Sequence, residues 1–190
     1  EWIYKGDAGD HRTFSGASAD QDITEVRFTC DETYLYGLVR MQDITDASLP
    51  ALGIAWNSHI PGFSMPWLGD ASTPAGSIGL ENSAQAATRQ IMIYTAGGSP
   101  RIRLYNGGVW YVPNALDSAV AVSPGDNCVE FRINRNDLDL FYPQKVTVSL
   151  ASFRSSGSDA GSDATFDCPV LNNDAVDVTG GDSGLSANAW

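Results

Sequence analysis

Apolar and polar residues alternate with a period of two along much of this chain, and that period constrains its fold more than any other feature. In "ITEVRFTC" (23–30), Ile23, Glu25, Arg27 and Thr29 fall on one face, with Val26 and Phe28 on the other. Successive side chains of a strand point to opposite sides, so such a segment lays one face on a core and the other in water. "DET" turns this strand into "YLYGLVRMQ" (34–42), which predicts a β-hairpin. "ALGIAWN" (51–57) is too apolar for a solvent-facing strand and predicts one buried on both faces. "QIMIYTA" (90–96), "RIRLYN" (101–106) and "VWYVP" (109–113) predict three more strands. "NGG" between the last two is a hairpin turn, because Asn106 and Gly107 tolerate positive φ. "SAVAVS" (118–123), "NCVEFRINRNDL" (127–138) and "KVTVSLASFR" (145–154) complete the regular part.

Helical signals are few: "NSAQAATRQ" (82–90) allows two turns and "NRNDL" one. About ten strands, with turns every 8–12 residues or so, predict an all-β antiparallel β-sandwich of jelly-roll or immunoglobulin-like type with little helix. Residues 1–190 read as a single domain, without repeat or boundary. Residues 58–87 form a long connection rich in Gly, Pro and Ser, and such loops on β scaffolds often carry function. From Ser155 to Trp190 the chain is rich in Gly, Ser and Asp, with one short apolar run, "ATFDCPVL" (164–171).

The net charge of −12 is unevenly made, from 18 Asp against 5 Glu and 9 Arg against 2 Lys. Asp favours turns and caps, where its short carboxylate bonds nearby backbone N–H groups, whereas Glu and Lys populate exposed helices. The bias therefore fits strands joined by loops. A strongly acidic domain is repelled by phosphate backbones and anionic lipid, so nucleic acid and membrane surfaces are poor partners. No segment is apolar for long enough to predict membrane insertion through a helix. Cys30, Cys128 and Cys168 fall in no metal-binding spacing. They predict either one disulfide and a leftover thiol in an extracellular protein, or three buried free thiols in a reducing compartment.

Three stretches together carry a family resemblance. "EWIYKGDAGDHRT", "DITEVRFTCDETYLYGLVRMQDIT" and "NCVEFRINRNDLDL" resemble the DOMON-like β-sandwiches, which include family 9 carbohydrate-binding modules and the C-terminal domains of glucodextranase-type enzymes. The shared pattern is an opening strand with Trp and a Gly-Asp loop, then D-x-x-Y-L-Y, then V-E-F-x-I-x-x-x-D-L over Val129 to Leu138. "MPWLGDAST" (65–73) is similar to a long-loop element in some of these domains. The resemblance spans residues 1 to about 154 through mostly structural motifs. It implies a sandwich fold and a role as a sugar binder, a haem binder or a surface module of an extracellular protein. One departure concerns the end: relatives commonly finish in a hydrophobic strand, whereas this chain finishes in "VDVTGGDSGLSANAW". A sandwich lacking its closing strand has an open edge that another subunit could complete.

Several candidate chemistries can be weighed on the residues. "GGDSGL" (180–185) has the look of a serine-protease nucleophile motif, but His11 and His59 lack the surroundings of a catalytic base. Eighteen aspartates supply glycosidase-like carboxyl pairs by chance alone, so no enzyme is predicted. Met41, Met65 and Met92 read as core residues rather than haem ligands. Calcium fits better, because it takes six to eight oxygens and clustered Asp in Gly-rich loops offers them. Asp7 and Asp10 flank "AG", and Asp20 and Asp22 precede the 23–30 strand, so these four are the candidate ligands; Asp43 and Asp46 lie at the end of the next strand. The competing explanation is Asx-turns in which each carboxylate bonds its own backbone. For glycans, exposed aromatic faces matter, and Trp67 beside Asp70, with Tyr105 and Trp110 across the 101–112 hairpin, are the candidates. Trp2 and Trp56 are assigned to the core.

Two functions from different classes follow. One is a non-catalytic extracellular module that binds carbohydrate and is stabilised by calcium. The other is a structural subunit of a surface filament, pairing with copies of itself by β-strand donation.

Overall fold

The computed structural model describes residues 2–11, 18–48, 50–58, 65, 67–68, 78–79, 87–96, 98–106, 109–140, 146–154 and 175–178. Its strands are β1 (Trp2–Lys5), β2 (Ile23–Cys30), β3 (Tyr34–Met41), β4 (Pro50–Asn57), β5 (Trp67–Leu68), β6 (Ile78–Gly79) and β7 (Arg89–Ala96). They continue as β8 (Ser99–Asn106), β9 (Val109–Tyr111), β10 (Ser118–Ser123), β11 (Cys128–Asn134), β12 (Thr147–Arg154) and β13 (Ala175–Val178). One sheet runs β1-β2-β3-β11-β10 and the other β13-β12-β4-β7-β8-β9, with β5 and β6 paired separately. Every neighbouring pair is antiparallel, so the molecule is the expected all-β sandwich.

The core lies between the sheets. Val26, Phe28, Leu35, Val39, Val129 and Phe131 of the smaller sheet meet Leu52, Ile54, Trp56, Ile91, Ile93 and Leu104 of the larger. Gly37 in β3 stands opposite Phe131, whose ring lies where a Cβ would project, only 2.2 Å away. The missing side chain thus makes room for an aromatic one.

The two sheets differ on their outer faces. β4 is buried at all eight positions, as its composition predicts. Leu52, Ile54 and Trp56 point into the sandwich, while Ala51, Gly53 and Ala55 point away from it. These small residues leave space for a second apolar layer, in which Met65, Met92, Tyr94, Ala151 and Phe153 are all buried. Met65 forms a bridge to Ala87, and its Sδ accepts a hydrogen bond from Gln90 Nε2 at 3.4 Å. The three methionines are packing residues here, each at most 2% exposed. By contrast, the outer face of the smaller sheet carries Arg27, Thr29, Glu130, Ala119 and Ala121, all exposed.

Some local expectations change. The β2–β3 ladder shifts register between Ile23 and Glu25, so Thr24 is an extra residue. Ile23 is thereby turned to the core, at 1% exposure, rather than sharing a face with Glu25 and Arg27. Residues 87–90 of the proposed helix are extended, with Arg89 opening β7, because Trp56 of β4 takes Arg89 as its ladder partner; 82–86 lie outside the described residues. "NRND" does close a turn, a 3-10 helix over Arg135–Leu138 whose Asn134 side chain accepts the Asn136 N–H. Part of the tail forms a strand after all: Ala175–Val178 pairs with β12 and covers the edge that the sequence left open. "ATFDCPVL" and "GGDSGL" lie outside the described residues.

Cys30 and Cys128 are both free thiols, and burial pushes the Cys128 thiol above its ordinary value. They cannot join each other: Cys30 stands opposite Leu35 and Cys128 opposite Arg40, ends of β3 that lie roughly 17 Å apart, whereas a disulfide needs Cα atoms within about 7 Å. Cys168 lies outside the described residues.

Candidate metal centre and binding face

The centre is built around a short 3-10 turn, Ala19–Gln21, that precedes β2. The Ser18 N–H donates to Gln21 Oε1 at 3.1 Å, closing the start of the turn. Both sheets hold it. From the end of β3 outward, the Gln42 N–H donates to the Asp22 carbonyl and the Asp43 N–H to the Ala19 carbonyl. From β12, the Ser152 hydroxyl donates to the Gln21 carbonyl in a buried hydrogen bond.

The turn sends Asp20 and Asp22 in different directions. A 3-10 helix turns about 120° per residue, so side chains two apart do not face the same way. Asp20, 3% exposed, turns towards the loop after β3. There Oδ1 accepts the N–H groups of Thr45 at 2.6 Å and Asp46 at 3.1 Å, and Ser18 Oγ lies 2.8 Å from Oδ2. Thr45 Oγ1 sits 3.0 Å from Oδ1. Burial raises the Asp20 pKa, but the donors from Asp46, Ser18 and Thr45 outweigh it and hold the carboxyl below its ordinary value. Asp20 is thus a satisfied structural carboxylate, and lies apart from the group formed by Asp10, Asp22 and Asp177. Asp46 is itself occupied by the N–H and hydroxyl of Ser48.

Asp22, fully buried, turns the other way. Its Oδ2 accepts the Gly9 N–H at 2.6 Å, which Gly9 can aim inward because its φ is +85°. His11 Nδ1 lies 3.2 Å from the same oxygen. Asp22 Oδ1 has no hydrogen-bond partner, and neither does Asp10 Oδ1. The third carboxylate is Asp177 of β13, 4% exposed, whose Oδ2 accepts the Ile23 N–H at 2.7 Å. Asp10, Asp22 and Asp177 each offer an oxygen within 4.8 Å of the others. Burial, and then the Asp22 charge beside it, push the Asp10 carboxyl above its ordinary value. Three carboxylates gathered in a largely buried place, with two oxygens unsatisfied, make an arrangement suited to a hard cation.

Of the four sequence candidates, the fold brings together Asp10 and Asp22. Asp7 is exposed and lies outside the cluster. Asp177, the third carboxylate, lies in the Gly-, Ser- and Asp-rich tail, where the sequence predicts no strand. The signal that could have found it is an acidic residue between two valines, "VDV", in strand alternation.

The glycan candidates are dispersed. Trp67 lies in β5 opposite Gly79, and Asp70 is outside the described residues. Tyr105 and Trp110 pair across β8 and β9 with ring centroids 5.1 Å apart and planes tilted by 54°. Both are half-buried, and their tilt makes an aromatic contact rather than one flat platform. Trp56 serves the core, while Trp2 stacks on Tyr4 at the sandwich margin and is 45% exposed.

A groove of about 450 Å³ crosses the open outer face of the smaller sheet. Leu38, Ala119 and Ala121 supply its apolar surface, with Tyr36, Glu130 and Arg132 around them. The Arg132 guanidinium lies 4.9 Å from the Tyr34 ring centroid, and its buried Nε donates to nothing. The Tyr36 hydroxyl donates to Asp31 Oδ2 at 2.8 Å, which fixes its ring at the groove. Sequence reasoning passed over this face because Tyr34 and Tyr36 read as strand residues. No family model matches the chain, and no curated protein is significantly similar to it.

Proposed function

We propose that the chain is a non-catalytic extracellular module that binds carbohydrate in the groove of the five-stranded sheet and is stabilised by calcium at Asp10, Asp22 and Asp177. The observation that carries the sugar assignment is Arg132, stacked on Tyr34 with its Nε unpartnered beside an apolar groove. Sugars present an apolar C–H face and a rim of hydroxyls, so their sites combine apolar or aromatic surface with a few fixed polar groups. Tyr36 and Leu38 supply the first, Glu130 and the planar guanidinium of Arg132 the second. The extracellular setting follows from the DOMON-like resemblance of the sequence. A glycan array tests the assignment. Binding is expected for the wild-type chain, reduced at least tenfold by Arg132→Ala and by Tyr36→Ala, and retained by Trp110→Ala. Absence of any hit, or hits indifferent to both groove variants, overturns it.

A filament subunit assembled by strand donation has one observation in its favour. β1 is an edge strand whose Trp2 and Ile3 are 45% and 46% exposed. Sedimentation of the isolated chain distinguishes the two assignments: strand donation requires polymers, and a monomer at high concentration removes it.

A further inference from the structure

We propose that the cation held by Asp10, Asp22 and Asp177 is a latch: it fastens β13 to the start of β2, so that attachment of this strand depends on calcium. The proposal deepens the calcium part of the function above and rests on it, independently of the sugar site.

The three ligands come from three separate stretches of chain. Asp10 follows β1, Asp22 ends the 3-10 turn before β2, and Asp177 belongs to β13, the edge strand of the other sheet. An ion among them therefore joins the margins of both sheets at one point. The donor set is oxygen-rich, which selects hard cations. Opposite oxygens on calcium lie about 4.6–5.2 Å apart, given metal–oxygen distances near 2.3–2.6 Å. The three carboxylates offer oxygens within 4.8 Å of one another, no farther apart than two ligands of one calcium can be. Carboxylates bind calcium through one or both oxygens, and water completes the shell. Two features beyond the acidic cluster itself point to a ligand. Asp22 is fully buried, yet its Oδ1 has no partner. Such an atom loses its hydration without recovering a bond unless something else supplies one. The second feature is the contrast with Asp20, two residues away and equally buried, for which the protein provides donors at both oxygens.

β13 is suited to conditional attachment. It has four residues, and its ladder with β12 shifts register between Ser152 and Phe153. One link to the smaller sheet is the Ile23 N–H bonded to Asp177. Without an ion, that link places a carboxylate beside two others, and their repulsion opposes docking. With an ion the same three charges become the attraction that holds the strand. Release of β13 would bare the backbone of β12 as a new sheet edge.

The test is hydrogen exchange of the full chain with calcium or with chelator, read on peptides containing residues 175–178, alongside thermal unfolding. At calcium 100 times its Kd, exchange through release of β13 should slow about 100-fold, because the ion binds the docked form alone. Asp177→Asn keeps an oxygen to accept the Ile23 N–H but removes the charge, and should abolish the calcium response while the sheets stay folded. Asp10→Asn, in a half-buried loop, provides the same test should the Asp177 variant not fold. A calcium-dependent rise in melting temperature with unchanged exchange at 175–178 overturns the latch and leaves a stabilising ion. No calcium effect on either measurement overturns both.

Discussion

Asp20 and Asp22 are two residues apart and both buried, yet the molecule treats them oppositely. Asp20 receives donors from Thr45, Asp46 and Ser18. Asp22 receives the Gly9 N–H and has His11 Nδ1 3.2 Å away, both at Oδ2, and otherwise faces Asp10 and Asp177. A buried carboxylate needs compensation of its charge and lone pairs. At Asp20 the compensation is written into the chain. At Asp22 one oxygen is left without a donor. The same side chain in the same turn is thus a structural strut at one position and a buried carboxylate with an unmet oxygen at the other.

Four substitutions or titrations act on this difference. Asp20→Ala leaves several donors without an acceptor and should cost about 3 kcal/mol in urea unfolding, by the same amount with calcium or chelator. A calcium-dependent cost would mean that Asp20 belongs to the metal site. Asp22→Asn keeps an acceptor for the Gly9 N–H but removes a charge from the cluster. It should be about 2 kcal/mol less stable than wild type in saturating calcium, and about 1 kcal/mol more stable in chelator. A change of the same sign in both conditions would break the comparison. Thr45→Val removes the hydroxyl beside Asp20 but keeps the backbone donor, and should cost about 1 kcal/mol regardless of the ion.

The smallest effect concerns a third, exposed carboxylate that is satisfied in the manner of Asp20. Asp31 accepts the N–H groups of Tyr34 and Thr33 and the Tyr36 hydroxyl, and these hold its carboxyl below the ordinary value. A depressed folded pKa means that the bonds stabilise the protein above the unfolded pKa, near 4, and are lost as pH falls through the folded value. Asp31→Asn should therefore flatten the acid side of the stability profile, measured as urea midpoint against pH. An unaltered acid slope would show that these bonds do not favour the ionised form.

Much of the sandwich was legible because it rests on local pattern. The β2–β3 hairpin, the double burial of β4 and the 118–123 strand follow from alternation and composition over a few residues. The cluster of carboxylates was half legible. Asp10 and Asp22 sit in Gly- and Asp-rich loops whose chemistry is evident in sequence. That Asp20 should diverge from Asp22 depends on a 3-10 turn with three residues to the turn, whereas a strand would have placed the two on one side. Asp177 bonds a residue 154 positions away, and no local period carries that distance. The open groove escaped notice for a related reason. It depends on which of two sheets has its outer face covered, and among the described residues Met65, in the long connection between β4 and β7, packs there from outside the strands.

The extra residue at Thr24 gives β2 two reading frames. From Glu25 onward the odd positions face solvent, whereas before the shift the odd position Ile23 faces the core. The N–H of that same residue meets Asp177. Deleting Thr24 would leave a strand that looks more regular, in a single frame. Ile23 would still stand opposite Met41 and face the core, but the bend and extra twist that the bulge gives β2 would go, and with them the angle at which Asp22 and the Ile23 N–H meet β13. What resembles a flaw in the pleat is the offset that lets one edge of the sandwich be addressed from both ends of the chain.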